Sequence, residues 1–71
     1  MANKSIRERF GAQVRKLRKQ KGVSQEGLAH LAGIERSYMG AIERGVRNPS
    51  LEKIHKIALA LKVPLSDLFK L

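Results

Sequence analysis

A chain of 71 residues with 15 Lys and Arg against 6 Asp and Glu, formally +9, has room for a single domain around one modest core and none for a separate catalytic lobe. The absence of cysteine excludes disulfides, thiol catalysis and cysteine-ligated zinc, and so removes zinc fingers from consideration. The charge exceeds what solubility requires and fits a polyanion, either nucleic acid or an anionic membrane surface.

In chain order, Ile6, Phe10, Val14 and Leu17 recur at helical spacing and predict a helix over residues 5–21, closed by Gly22. Its other faces are basic: eight of the fifteen cations precede Gly22. Ser24 is a favoured N-cap for a second helix over 24–32, which carries Leu28, Ala29, Leu31 and Ala32 at helical spacing. Gly33 follows the last periodic residue, where a left-handed conformation reverses the chain sharply. A third helix over 35–44 turns Ile34, Met39 and Ile42 inward and ends at Gly45. Two helices joined by so tight a turn form a helix-turn-helix, and Ala29 supplies the small residue their steep crossing needs. Arg47-Asn48-Pro49-Ser50 interrupts the pattern, and Ser50 caps a fourth helix over 50–61 that buries Leu51, Ile54, Ile57, Ala58 and Leu61. Pro64 admits a last helical turn or two over 64–70, with Leu65, Leu68 and Phe69 as its apolar cluster. No strand pattern, linker or repeat interrupts the series. The expected fold is all-α, a compact arrangement of five short helices over residues 1–71 with the helix-turn-helix at its centre.

Around the third helix, at about 100° per residue, Ser37, Gly40, Ala41 and Arg44 face away from the core, Met39, Ile42 and Glu43 face it, and Arg36 lies at the border. Glycine inside a helix costs about 1 kcal/mol relative to alanine, so Gly40 calls for a compensating use such as close approach of the backbone to a partner.

The segments LRKQKGVSQ, LAHLAGI, IERG, RNPSL, IALAL and LSDLF resemble the phage-repressor/Cro-type (lambda-repressor-like) DNA-binding domains, also called the xenobiotic-response-element family. The likeness extends over about residues 10–69. Within that family, IERSYMGAIERGVRN is similar to the controller proteins of restriction-modification systems, which carry Arg-Thr-Tyr where this chain has Arg36-Ser37-Tyr38, and a later Arg-Asn. The resemblance implies that the second helix of the motif enters the major groove of double-stranded DNA. Arg36 then either grips guanine O6 and N7 or neutralises phosphate, Ser37 bonds a base or phosphate, and Gly40 and Ala41 lie close to base edges with Ala41 against a thymine methyl. Gln25 resembles the glutamine that family members place against phosphate, and Arg44, Arg47 and Asn48 are expected along the backbone. Tyr38 either stacks on sugar or donates to phosphate, or else packs at the domain edge. The resemblance further pairs Arg18 with Glu43 in a partly buried ion pair. Glu35 and Gly27 depart from the family, which usually has Ser or Asp at the first position and a capping-box Glu at the second.

One such motif reads few base pairs, so a homodimer is expected on half-sites about 34 Å apart, joined through Val63, Pro64, Leu65 and Leu71. His30 and His55 are distant in sequence, and neither a nucleophile-base-acid set nor a metal-ligating pattern accompanies them, which argues against an enzyme, a metal site or a cofactor. A single tyrosine and two phenylalanines are a thin supply for RNA stacking. A membrane-surface peptide does not need the turn chemistry at Ala29, Gly33 and Ile34. No small-molecule sensing domain is expected. The absence of an apolar leader or spanning segment gives a cytoplasmic, nucleoid-associated location as the expectation. The alternative is an antitoxin-type protein that binds a partner toxin and regulates its own operon; Leu71 follows Phe69 so closely that little room is expected for a toxin-binding segment.

Overall fold

The computed structural model describes residues 4–71: α1 (Ile6–Gln20), α2 (Gln25–Ala32), α3 (Arg36–Glu43), α4 (Leu51–Leu61) and a closing 3-10 helix (Leu65–Phe69). Three serines start three of these helices by accepting a backbone N–H three residues on: Ser5 from Glu8 at 3.1 Å, Ser24 from Gly27 at 2.9 Å and Ser50 from Lys53 at 3.1 Å. At α1 the device is reciprocal, because the Ser5 backbone N–H donates to Glu8 Oε1 at 3.0 Å, completing a capping box. That bond and a second from the Ser5 side chain hold the Glu8 carboxyl below the usual glutamate range.

Gly33 ends α2 in the left-handed region at φ 67°, and the Ile34 N–H reaches back to the Ala29 carbonyl at 2.9 Å. This is the paired hydrogen-bond closure that lets α3 leave at a steep angle. Lys62 ends α4 in the same left-handed conformation, at φ 57°, without being a glycine.

The helices pack α1 against α3 and α2 against both α3 and α4, with the 3-10 helix bridging α1 and α4. Val14, Leu28, Met39, Ile42, Ile57, Leu61 and Leu68 are fully enclosed. Burying each such side chain contributes roughly 1.5–3 kcal/mol, and Ala29, 2% exposed, keeps the α2 crossing close. Gly11 has a different use: a Cβ there would strike the carbonyl oxygens of Ile42 and Glu43, so α1 can lie directly on the end of α3 only with glycine at this place.

Two expectations need correction. Among the described residues there are four α-helices, and the fifth element is a 3-10 helix. Pro64 precedes it as an extended residue, and the Asp67 N–H closes an i→i+3 bond to the Pro64 carbonyl at 2.9 Å. A stretch of five residues completes few i→i+4 bonds, so the tighter pattern satisfies more of its backbone. Second, Ile6, Leu31 and Leu51 share the helical spacing of core residues yet are 60, 61 and 73% exposed. Each lies on its helix where no neighbouring element covers it. Phe69 is also half-exposed, with its ring centroid 5.5 Å from that of Phe10.

Candidate nucleic-acid interface

The rigidity of the motif begins with a pair of charges. Glu43, on the last turn of α3, accepts from Arg18 Nε at 2.8 Å and from Arg18 Nη2 at 3.0 Å, with only 11% of the arginine side chain and 4% of the glutamate side chain exposed. The two-point geometry fixes orientation as well as distance. Arg18 also donates to the Val23 carbonyl at 3.0 Å, so one guanidinium joins α1, the segment before α2 and the end of α3. This is the pair that the resemblance implied. Glu43 accepts a further bond, from Gln25 Nε2 at 3.2 Å, which ties the first residue of α2 to the same carboxylate.

Beyond this anchor, the outer surface of α3 carries two shallow hollows. The first is bordered by Gln25, Glu35, Arg36, Ser37, Gly40 and Arg44. The second is bordered by Glu35, Ser37, Tyr38, Ala41, Arg44, Arg47 and Lys53, with the Gly33-Ile34 turn at its edge. Arg44 stands between them. Arg36, Arg44, Arg47 and Lys53 therefore converge on one face, and none of them pairs with a carboxylate among the described residues. Arg36, Ser37, Arg44 and Arg47 are exposed.

Gly40 and Ala41 do not form the open face expected of them. Both are buried, although their helical angle points outward. A Cβ at Gly40 would lie 3.2 Å from Gln25 Oε1 and 3.2 Å from Arg44 Nη1, so these two long side chains lie over the glycine. Ala41, 8% exposed, forms part of the floor of the second hollow. A helical wheel gives a direction and not what covers it: here Arg44, one turn on along α3, and Gln25 of α2 lie over the glycine. The Gln25 side chain that lies over Gly40 is the same one that bonds Glu43.

Of the two uses left open for Tyr38, the structure shows the packing at the domain edge. Its ring packs on the edge of the core and also borders the second hollow, with the Arg47 guanidinium carbon 5.7 Å and Lys53 Nζ 5.2 Å from its centroid. Cations over an aromatic face are attracted to it, which steadies two long side chains beside the hollow. Sequence reasoning missed Lys53: it is three residues past the Ser50 cap on α4, and nothing in the periodicity of α4 indicates that it reaches α3. Asn48 is not brought to this face. It borders a separate apolar groove with Ile6, Phe10, Pro49, Ile54 and Phe69. Of the expected dimer residues, Leu65 and Leu71 are each 40% exposed, Pro64 is exposed and Val63 is half-buried. Among the described residues no group of His, Asp or Glu is placed to hold a metal ion, and no helix is long and apolar enough to cross a membrane.

The profile of the HTH_3 family, described as helix-turn-helix, matches residues 14–68. The chain belongs to this family. Among its helix-turn-helix relatives, Control protein C.MunI of a Mycoplasma species is 45% identical over 65 residues, spanning 90% of this chain and 88% of the relative. The crystal structure of the restriction-modification controller protein C.AhdI from Aeromonas hydrophila superposes with a TM-score of 0.86 at 52% identity, covering 87% of this chain and 94% of that one. The master regulator of biofilm formation SinR, solved in complex with DNA, superposes with a TM-score of 0.80 at 35% identity, covering 86% of this chain and 98% of that one.

Proposed function

We propose that this helix-turn-helix protein is a sequence-specific double-stranded-DNA-binding transcriptional regulator that acts as a homodimer on a near-palindromic operator and controls its own expression as restriction-modification controllers do. The observation that carries the reading is the convergence of Arg36, Arg44, Arg47 and Lys53, free of carboxylate partners among the described residues, on the face of α3. Its likeness to C.MunI and C.AhdI, and to a regulator solved with DNA, supports the same reading.

In this reading α3 lies in the major groove, with Arg36 as the base reader and Ser37 beside it. Gln25, Tyr38, Arg44, Arg47 and Lys53 contact phosphates, which set register and carry no sequence information themselves. Gly40 and Ala41 form the floor under these side chains. The dimer forms through Val63, Pro64, Leu65 and Leu71, whose exposed apolar atoms a second copy covers. A role on DNA places the protein at the nucleoid.

Selection of bound sequences from random duplex DNA tests the proposal: an enriched site with two-fold symmetry supports it, and retention of random sequence alone refutes it. On that site Arg36→Ala is expected to lose roughly 1–3 kcal/mol of discrimination at one base pair. Competition between the enriched site and random duplex measures this, and an equal loss on both demotes Arg36 to a phosphate contact.

A further inference from the structure

Among the groups bordering the two hollows of α3, Glu35 is an acid among cations. It immediately precedes α3, is exposed, and borders both hollows. A carboxylate at this place repels phosphate and weakens general affinity for DNA, so it calls for a use. Capping is not that use, since the Glu35 side chain makes no cap hydrogen bond to the helix. Nor does it pair with Arg36. Its partner is Ser37, whose hydroxyl donates to Glu35 Oε1.

That bond sets the polarity of both groups. An ionised carboxylate only accepts hydrogen bonds, and a serine hydroxyl has a single proton to give. With that proton directed to Glu35, the exposed Ser37 hydroxyl and Glu35 carboxylate have only lone pairs left for a partner. The two side chains thus make a patch that accepts and does not donate. Arg36, between them in sequence, donates and cannot accept. The major groove distinguishes these properties: guanine offers acceptors at O6 and N7 and thymine one at O4, whereas cytosine N4 and adenine N6 are donors.

We propose that Glu35 is a specificity-determining residue which, with Ser37, reads the exocyclic amine of a cytosine or adenine next to the guanine gripped by Arg36. Thymine or guanine at that position brings acceptor against acceptor and is rejected. The inference rests on the proposed DNA-binding role and adds to it the identity of a neighbouring base.

The test is selection from random duplex DNA with the wild type, Glu35→Gln and Ser37→Ala, together with affinities for the selected site and for random duplex at one salt concentration. The wild type is expected to enrich a guanine beside a cytosine or adenine in each half-site. Glu35→Gln, whose amide both donates and accepts, should lose about tenfold in preference at the amine-bearing position, keep the guanine, and bind random duplex at least as tightly. Ser37→Ala should relax the same position to a smaller extent. Both positions are exposed, so the melting temperatures should match the wild type. Unchanged preferences in Glu35→Gln, or loss of the guanine instead of its neighbour, overturn the proposal while leaving the regulator reading intact. Failure of the wild type to enrich any site overturns both.

Discussion

The segment from Ser24 to Gly45 and the segment from Lys62 to Leu71 are held in place by different means. In the first, each turn has a local signal: a serine cap, a left-handed glycine, and a small residue at the crossing. An ion pair and Gln25 then lock the two helices to α1. In the second, a lysine occupies the left-handed position, the helix is 3-10, and the attachment includes Leu68 in the core, Phe69 against Phe10 and two side-chain bonds from α1. Those bonds run from Gln13 Nε2 to the Asp67 carbonyl at 2.8 Å and from Arg9 Nη2 to the Leu71 carbonyl at 3.0 Å. The difference teaches that the α3 face is preorganised by contacts within the chain, whereas the C-terminal end leaves Leu65, Phe69 and Leu71 each 40% or more exposed, on the surface where the proposed dimer would form.

The comparison is broken most severely at Glu43. Glu43→Ala leaves the Arg18 charge enclosed without its partner and is expected to cost roughly 3–5 kcal/mol, read as a lower midpoint in urea unfolding. At the other end, Leu65→Lys should leave the unfolding of the monomer nearly unchanged and shift sedimentation from dimer to monomer at tens of micromolar; a wild type that is already monomeric there, with and without operator, refutes the dimer. A smaller gain is expected from Lys62→Gly, which relieves the left-handed side chain and should stabilise by about 1 kcal/mol in thermal unfolding. An unchanged or lower melting temperature would mean that the lysine side chain contributes packing that outweighs the strain.

The smallest effect concerns the α1 cap. Hydrogen bonds from Ser5 lower the folded-state pKa of Glu8 relative to the unfolded chain, so its contribution is present above the ordinary glutamate pKa and disappears as pH falls through the lowered value. Comparing Glu8→Gln with the wild type across that acid window should show a stability difference at neutral pH that vanishes at the acid end. A pH-independent difference argues against the linkage.

Helix starts were readable wherever a serine precedes an apolar period, because capping is a bond within three residues. The capping box at Ser5 and Glu8 is likewise a bond within three residues, and it emerged only with the structure. The Arg18–Glu43 pair was reached through family resemblance, since 25 residues separate its members. The cover over Gly40 and the place of Lys53 were not legible because Gln25 and Lys53 reach α3 from other helices, and no periodicity within one helix encodes such a reach. Leu31 and Leu51 show the same limit in reverse: helical spacing identifies a shared face, but only the neighbouring helix decides whether that face is covered.

By itself the sequence determined the all-helical class, the serine and glycine punctuation that bounds α2 and α3, and the excess of positive charge, all of which follow from composition or from bonds spanning a few residues. The tertiary structure alone decided that Gln25 reaches over Gly40 to Glu43 and that Lys53 joins the α3 face beside Tyr38. These depend on which side chains meet across helices, and that is settled only when the helices pack.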